Sequence, residues 1–175
     1  MLPDTGKGVM PSVFDGPRSI GAAWLQRRIW RTRMTLTRDR KAVLLASARL
    51  FEGVDHDGMD RIAAAAVEVD FPADHVIVQQ GEIGTGFFVV VSGGARVVRD
   101  GRAVATLGPG EFFGELSLLD GRPRVAQVVA SGPTTCLALA SWELERILLE
   151  EPRAALAILR GVAGRLRDLT EAGRH

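Results

Sequence analysis

A mainly β domain with helices at both ends is the fold class that the sequence predicts, and three observations carry it. Between Val67 and Leu139, short β-rich runs bounded by Gly, Pro or Asp recur at intervals of about eight to twelve residues, the spacing of a sandwich or barrel of antiparallel strands. On both sides of that region the apolar residues take up helical spacing. The chain has 175 residues, and a domain takes about 100 to 200, so one domain with a tail is expected.

In order along the chain, residues 1–17 carry Gly and Pro without sustained periodicity and are expected to be disordered. Residues 18–41 form a basic segment. Within it, residues 20–36 are spaced for a helix: Arg27, Arg28, Arg31 and Arg38 fall within an arc of about 100° while Leu25, Ile29 and Leu36 cluster away from it, with Trp24 breaking the pattern. From 42 to 66, AVLLASARLF and DHDGMDRIAAAAV predict two short helices, with Asp57 as cap of the second and Phe51 at the turn between them. The strands expected next are VEVDF, HVIVQQ, GFFVVVSG, ARVVRDG, AVATLG, RVAQVVA and TTCLALA. Ser141 is positioned to cap the helix WELERILLE, and Pro152 suits the first turn of a second, longer one. The domain is therefore expected over residues 42–170, with 171–175 as a tail. No internal repeat of solenoid or propeller period is present.

Composition narrows the function. With 46% hydrophobic and 25% charged residues, the chain is able to bury a core. No run approaches the apolar length of about 18 to 20 residues that spans a bilayer, and the N-terminus lacks the apolar centre of a secretory signal, so a cytoplasmic protein is expected. Cys136 is the only cysteine, which forbids an internal disulfide and a thiolate cluster. His56, His75 and His175 are too scattered for the clustered ligands that a metal-dependent cupin of similar architecture needs, and no metal is expected. Cys136 lies in the apolar run CLALA and reads as core. The net charge of +1 hides an uneven distribution: residues 18–41 hold eight basic residues against Asp39 alone. A footprint for nucleic acid or anionic lipid would lie there; a solvated arginine face, or an upstream reading frame ahead of a start at Met34, are the alternatives.

The stretch that carries chemistry is Gly108 to Ala130, GPGEFFGELSLLDGRPRVAQVVA. Gly114 allows close backbone approach, Glu115 places an acid beside it, LSLL makes a short helical turn, and the turn DGRPR delivers Arg124. Backbone amides at a helix start together with a guanidinium make a small anion site suited to phosphate, and a nearby carboxylate accepts hydrogen bonds from sugar hydroxyls. A ligand with both phosphate and ribose is the expectation. Taken alone, Glu115 and Arg124 would most often be a surface ion pair. The glycines of GEIGTG and GPGEFFG lack the GxGxxG spacing of a dinucleotide loop and are read as turn residues.

GEIGTGFFVVVSGGARV, LGPGEFFGELSLL and GRPRVAQVVA together resemble the cyclic nucleotide-binding domain family, of the kind found in bacterial catabolite activators and cyclic-nucleotide-gated channels, and FGELSLLDGRPRVA is similar to its phosphate-binding cassette. The resemblance covers residues 47–168. It implies a double-stranded β-helix, a jelly-roll-like β-roll, with an N-terminal helical pair and two C-terminal helices. It puts Glu115 on the ribose 2′-hydroxyl, Arg124 on the exocyclic phosphate oxygens, the amides of Ser117 and Val125 on the phosphate, and the backbone of Gly114 near the ribose, with Leu116 also among the contacts. Val98 would touch the purine, and Leu166 and Thr170 would serve as lid residues over the base.

Many family members place Ser or Thr after the arginine, where a hydroxyl reaches the phosphate or a guanine amino group. Val125 offers only its amide, so cAMP is expected in preference to cGMP. No nucleophile with its base and no paired acids form a catalytic constellation, so a bacterial sensor or regulatory module, not an enzyme, is expected. In the catabolite-activator branch a helix-turn-helix would begin where this chain stops, so direct DNA binding is not expected and the output would pass to an unknown protein partner in trans. Leu156, Leu159, Ala163 and Leu166 are spaced to pack on the roll or on a second copy in a homodimer. The rivals are a fold that has lost its ligand and serves as an interaction module, and a polyanion or membrane-surface binder working through residues 18–41.

Overall fold

In the computed structural model, which describes residues 31–33 and 36–172, nine strands pair antiparallel throughout. They are β1 (Arg31–Arg33), β2 (Val67–Phe71), β3 (Val76–Val78), β4 (Gly86–Ser92), β5 (Ala95–Arg99), β6 (Arg102–Leu107), β7 (Phe112–Phe113), β8 (Gln127–Ala130) and β9 (Thr134–Ala140). One sheet runs in the order β1-β2-β9-β4-β7 and the other β3-β8-β5-β6. Helices α1 (Arg38–Ala46) and α2 (His56–Ala65) precede the roll, with a 3-10 helix (Arg49–Phe51) between them; α3 (Glu115–Asp120) interrupts it; α4 (Ser141–Glu150) and α5 (Pro152–Ala172) follow it. The β-roll flanked by helices is as expected.

The long apolar runs of β4 and β9 are explained by burial on both faces, since successive side chains of a strand point to opposite sides. Phe87 and Val89 of β4, with Leu137 and Leu139 of β9, face a core closed by Leu45, Phe51, Ile62, Leu144, Ile147 and Ile158 of the helices. Their neighbours Phe88, Val90, Cys136 and Ala138 face the inside of the roll, against Val69, Phe71, Ile77, Phe113 and Val128. Adjacent phenylalanines thus serve different cores. Phe51 meets Phe87 edge-on at 5.6 Å, while Phe88 stacks on Phe113 at 5.1 Å, geometries that add about 0.5–1.5 kcal/mol each beyond area burial.

Several local expectations are corrected. Arg31–Arg33 do not continue a helix over 20–36; they pair with β2, Arg31 opposite Asp70 and Arg33 opposite Glu68. An unpaired strand edge offers a row of backbone partners, and that tertiary demand overrides the weak helical preference of three residues. Residues 20–30 of that helix, the disorder expected over 1–17 and the end of the tail at 173–175 lie outside the described residues. The cap of α2 is Asp55, whose carboxylate accepts from the Gly58 amide at 3.0 Å, and Asp57 lies in the first turn instead. Ser141 is the first residue of α4, with Ala140 at its cap position. The strand expected from Arg124 begins at Gln127, because the preceding residues are taken up by the site.

Candidate functional site

Gly114 starts the site. It caps α3 with a left-handed backbone (φ 94°), a conformation glycine adopts without steric cost. A Cβ here would stand 2.6 Å from Arg124 Nη1 and 2.7 Å from the Gly86 carbonyl oxygen. The tight turn aims Glu115 and Ser117 inward, where they are only 7% and 8% exposed. At the other end of α3, Gly121 also takes a left-handed backbone (φ 66°) and the Asp120 carboxylate accepts from the Arg122 amide at 2.9 Å. The chain then returns as a strand-like segment against the β3–β4 loop: Ile83 bridges Pro123, the Gly81 amide donates to the Arg124 carbonyl at 2.8 Å, and the Arg124 amide donates to the Glu82 carbonyl at 2.8 Å.

So placed, Arg124 is 7% exposed. Its Nη1 donates to the Gly114 carbonyl at 2.7 Å and its Nη2 to the Gly86 carbonyl. Burial lowers the guanidinium pKa from its ordinary value, and the Glu115 carboxylate opposes that shift by its charge. The group stays cationic, as arginine does in proteins. A buried cation, a buried acid and a buried serine therefore meet at the start of a short helix.

They line a cavity of about 100 Å³ together with Val78, Val97, Phe113, Ala126 and Val128, and with Gly114, Leu116 and Val125. A lining that combines a few charged and polar anchors with apolar side chains suits a ligand that has both a charged and an apolar part. Two larger hollows are lined by other residues. One of about 480 Å³ holds Arg38, Arg61 and Arg146, but these are engaged by Asp60, Glu151 and Glu143 at 3.9, 3.2 and 2.8 Å. The other, of about 380 Å³, lies where Gly161 of α5 meets Arg49 and the β6–β7 turn. Chemistry, not size, marks the cassette.

The structure brings Gly114, Glu115, Leu116, Ser117, Arg124 and Val125 together around this cavity. Val98 is not part of its wall. Val97, one residue earlier and across an irregularity in the pairing of β5 with β6, is among the lining residues. Leu166 and Thr170 lie on α5 away from the cavity lining; Leu166 is 65% exposed and the Thr170 hydroxyl donates to the Leu166 carbonyl at 2.7 Å. The sequence reading missed Val78, Phe113, Ala126 and Val128, of which Val128 lies on β8 and Ala126 just ahead of it. Among the described residues, no group of three or more His, Cys, Asp or Glu is arranged to hold a metal ion.

Comparison with known proteins bears on the same stretch. Residues 68–151 match the family model of the cyclic nucleotide-binding domain. The CRP-like cAMP-activated global transcriptional regulator of Mycobacterium tuberculosis is 30% identical over 129 residues, covering 71% of this chain and 58% of that protein. The cGMP-dependent protein kinase of Eimeria tenella is 33% identical over 132 residues, 73% of this chain but 13% of the kinase. The chain thus spans little more than half of the first of these relatives and a small part of the second. Among solved structures, the N-terminal domain of a transcriptional regulator from Streptomyces coelicolor A3(2) superposes with a TM-score of 0.64 at 34% identity, covering 75% of this chain and 96% of that one.

Proposed function

The chain belongs to the cyclic nucleotide-binding domain family, and from that premise we propose that its cassette binds cAMP in preference to cGMP and that it works as a sensor acting on a partner in trans. The observation that carries the reading is the burial of Glu115, Ser117 and Arg124 together in the lining of one mostly apolar cavity. The cyclic phosphate takes charge-assisted hydrogen bonds from the Arg124 guanidinium and bonds from the amides of Ser117 and Val125. The ribose 2′-hydroxyl donates to the Glu115 carboxylate, and the base lies against the apolar side chains. Because the guanidinium is already held by two carbonyls, little side-chain freedom is lost on binding, which favours affinity.

Selectivity rests on this chain's own residues, since the mycobacterial relative is cAMP-activated and the Eimeria kinase cGMP-dependent. Val125 is among the lining residues, 52% exposed, with no hydroxyl to offer a guanine amino group. The role is binding and not catalysis, and no helix among the described residues is long and apolar enough to cross a membrane, in keeping with a cytoplasmic place of action. A second copy is the proposed protein neighbour of α5: Leu156, Leu159, Ala163 and Leu166 are exposed and alternate by three and four residues, the spacing of a seam between like helices.

Calorimetry with cAMP on the full chain and on a chain beginning at Met34 tests the reading. Equal, saturable binding by both supports it. Absence of binding by both leaves a fold without ligand, and retention on anionic vesicles that disappears with residues 1–33 would favour the polyanion binder.

A further inference from the structure

We propose that Gly84 is a positioning residue for Arg124: by carrying no side chain it leaves the slot in which the guanidinium lies, a role that rests on reading Arg124 as the phosphate-binding group. A Cβ built on Gly84 would come within 2.7 Å of Arg124 Nη2 and closer still to Nε and Cζ, and these are the three atoms nearest to it. No other residue is needed to explain the collision. Gly114 and Gly86 complete the slot, since their carbonyls accept from Nη1 and Nη2.

The loop that bears Gly84 is unable to retreat independently. It is tied to the backbone of Arg124 itself, through Gly81 and Glu82, and to Pro123 through Ile83. With the two backbones locked together, an added methyl group displaces the side chain. A long arginine side chain yields by rotating about its own bonds, so the fold survives while the guanidinium loses both carbonyls and its place in the cavity lining. Gly84 thus sets where the positive charge sits without touching the ligand.

The test is calorimetric titration of the full chain with cAMP for wild type, Gly84→Ala, Arg124→Ala and the double variant, with the thermal unfolding midpoint of each. Gly84→Ala is expected to unfold cooperatively near the wild-type midpoint yet bind about ten-fold or more weakly, as displacement of a buried charged partner requires. In the Arg124→Ala background the same change is expected to alter affinity by less than about two-fold, because contacting residues are not additive. Where Arg124→Ala binds too weakly for calorimetry, the same comparison is read from backbone amide shifts of the two Arg124→Ala proteins titrated to millimolar cAMP. Wild-type affinity in Gly84→Ala beside weakened binding in Arg124→Ala overturns the inference and leaves the phosphate reading standing; so do additive losses. Wild-type affinity in Arg124→Ala, or no binding by wild type, overturns the phosphate reading itself. If Gly84→Ala fails to fold, recovery of folding in the double variant upholds the slot, and a double variant that also fails refutes it.

Discussion

Arg124→Ala is the substitution whose consequences the structure specifies most fully. Among the described residues lining the cavity, Arg124 is the one cation. Without ligand, the change removes two hydrogen bonds from a charged donor to the carbonyls of Gly114 and Gly86, worth about 1.5–3 kcal/mol each. Against that loss stands relief of the desolvation that lowers the guanidinium pKa. The two contributions have opposite sign, so folding stability falls by less than the bonds alone imply. No such offset acts on the liganded state. A phosphate left without its buried cation costs about 2–5 kcal/mol, which is about thirty-fold to several thousand-fold in affinity. Calorimetric titration with cAMP beside urea unfolding of the same samples separates the two effects. Arg124→Lys, which keeps the charge but not the planar fork, should recover part of the loss. Wild-type affinity in Arg124→Ala, or a loss no larger than the unfolded fraction explains, would refute the reasoning.

Glu115→Gln should weaken cAMP binding by about 1.5–3 kcal/mol, the worth of a hydrogen bond to a charged group, and the loss should largely vanish with a 2′-deoxy analogue; equal discrimination against that analogue by both proteins removes Glu115 from the ribose. Val125→Thr should narrow the preference for cAMP over cGMP by about 1 kcal/mol, measured as the ratio of the two dissociation constants, and an unchanged ratio counts against the role of the missing hydroxyl. Cys136 is buried among apolar side chains and burial pushes its thiol up to about 12 from 9.0. Its neutral form is favoured by the fold, so that contribution is whole below pH 9.0 and is lost as pH rises toward about 12; a thiol reagent should label it only on unfolding, and prompt labelling of the native protein would contradict its burial. In α5, Gly161 lies so close to the 3-10 helix that a Cβ would meet Arg49 O at 2.8 Å and Leu50 Cα at 2.9 Å. Any lid movement should therefore pivot beyond Gly161, with amides 162–169 gaining hydrogen-exchange protection on adding cAMP and identical exchange excluding α5 as the switch.

The parts of the fold that were legible in the sequence are those whose reason is local. β2 and β9 coincide with VEVDF and TTCLALA because turn residues bound them and both lie in the middle of the sheet order. β1 was illegible because its cause is the open edge of β2, some thirty-five residues away in sequence. β7 is two residues long and exists only by pairing with Phe88 and Val89 of β4. In the site, Glu115 and Arg124 were found because the glycine, the short helix and the turn that place them are contiguous. Val97 lines the cavity and Val98 does not because a pairing irregularity falls between them, which alternation alone does not locate. Gly84 reads as a turn glycine because the side chain that a Cβ there would meet lies forty residues downstream.

The most direct test of the central claim, that the cassette cavity is a cAMP site, is titration of the isotope-labelled full chain with cAMP while the backbone amides are followed by NMR. The account predicts saturating shifts at one equivalent, centred on Gly114 to Ser117, on Arg124 to Ala126 and on Gly81 to Gly86, with weaker response to cGMP. Shifts confined to the basic segment 18–41, a stronger response to cGMP, or no saturable response to either nucleotide would contradict it.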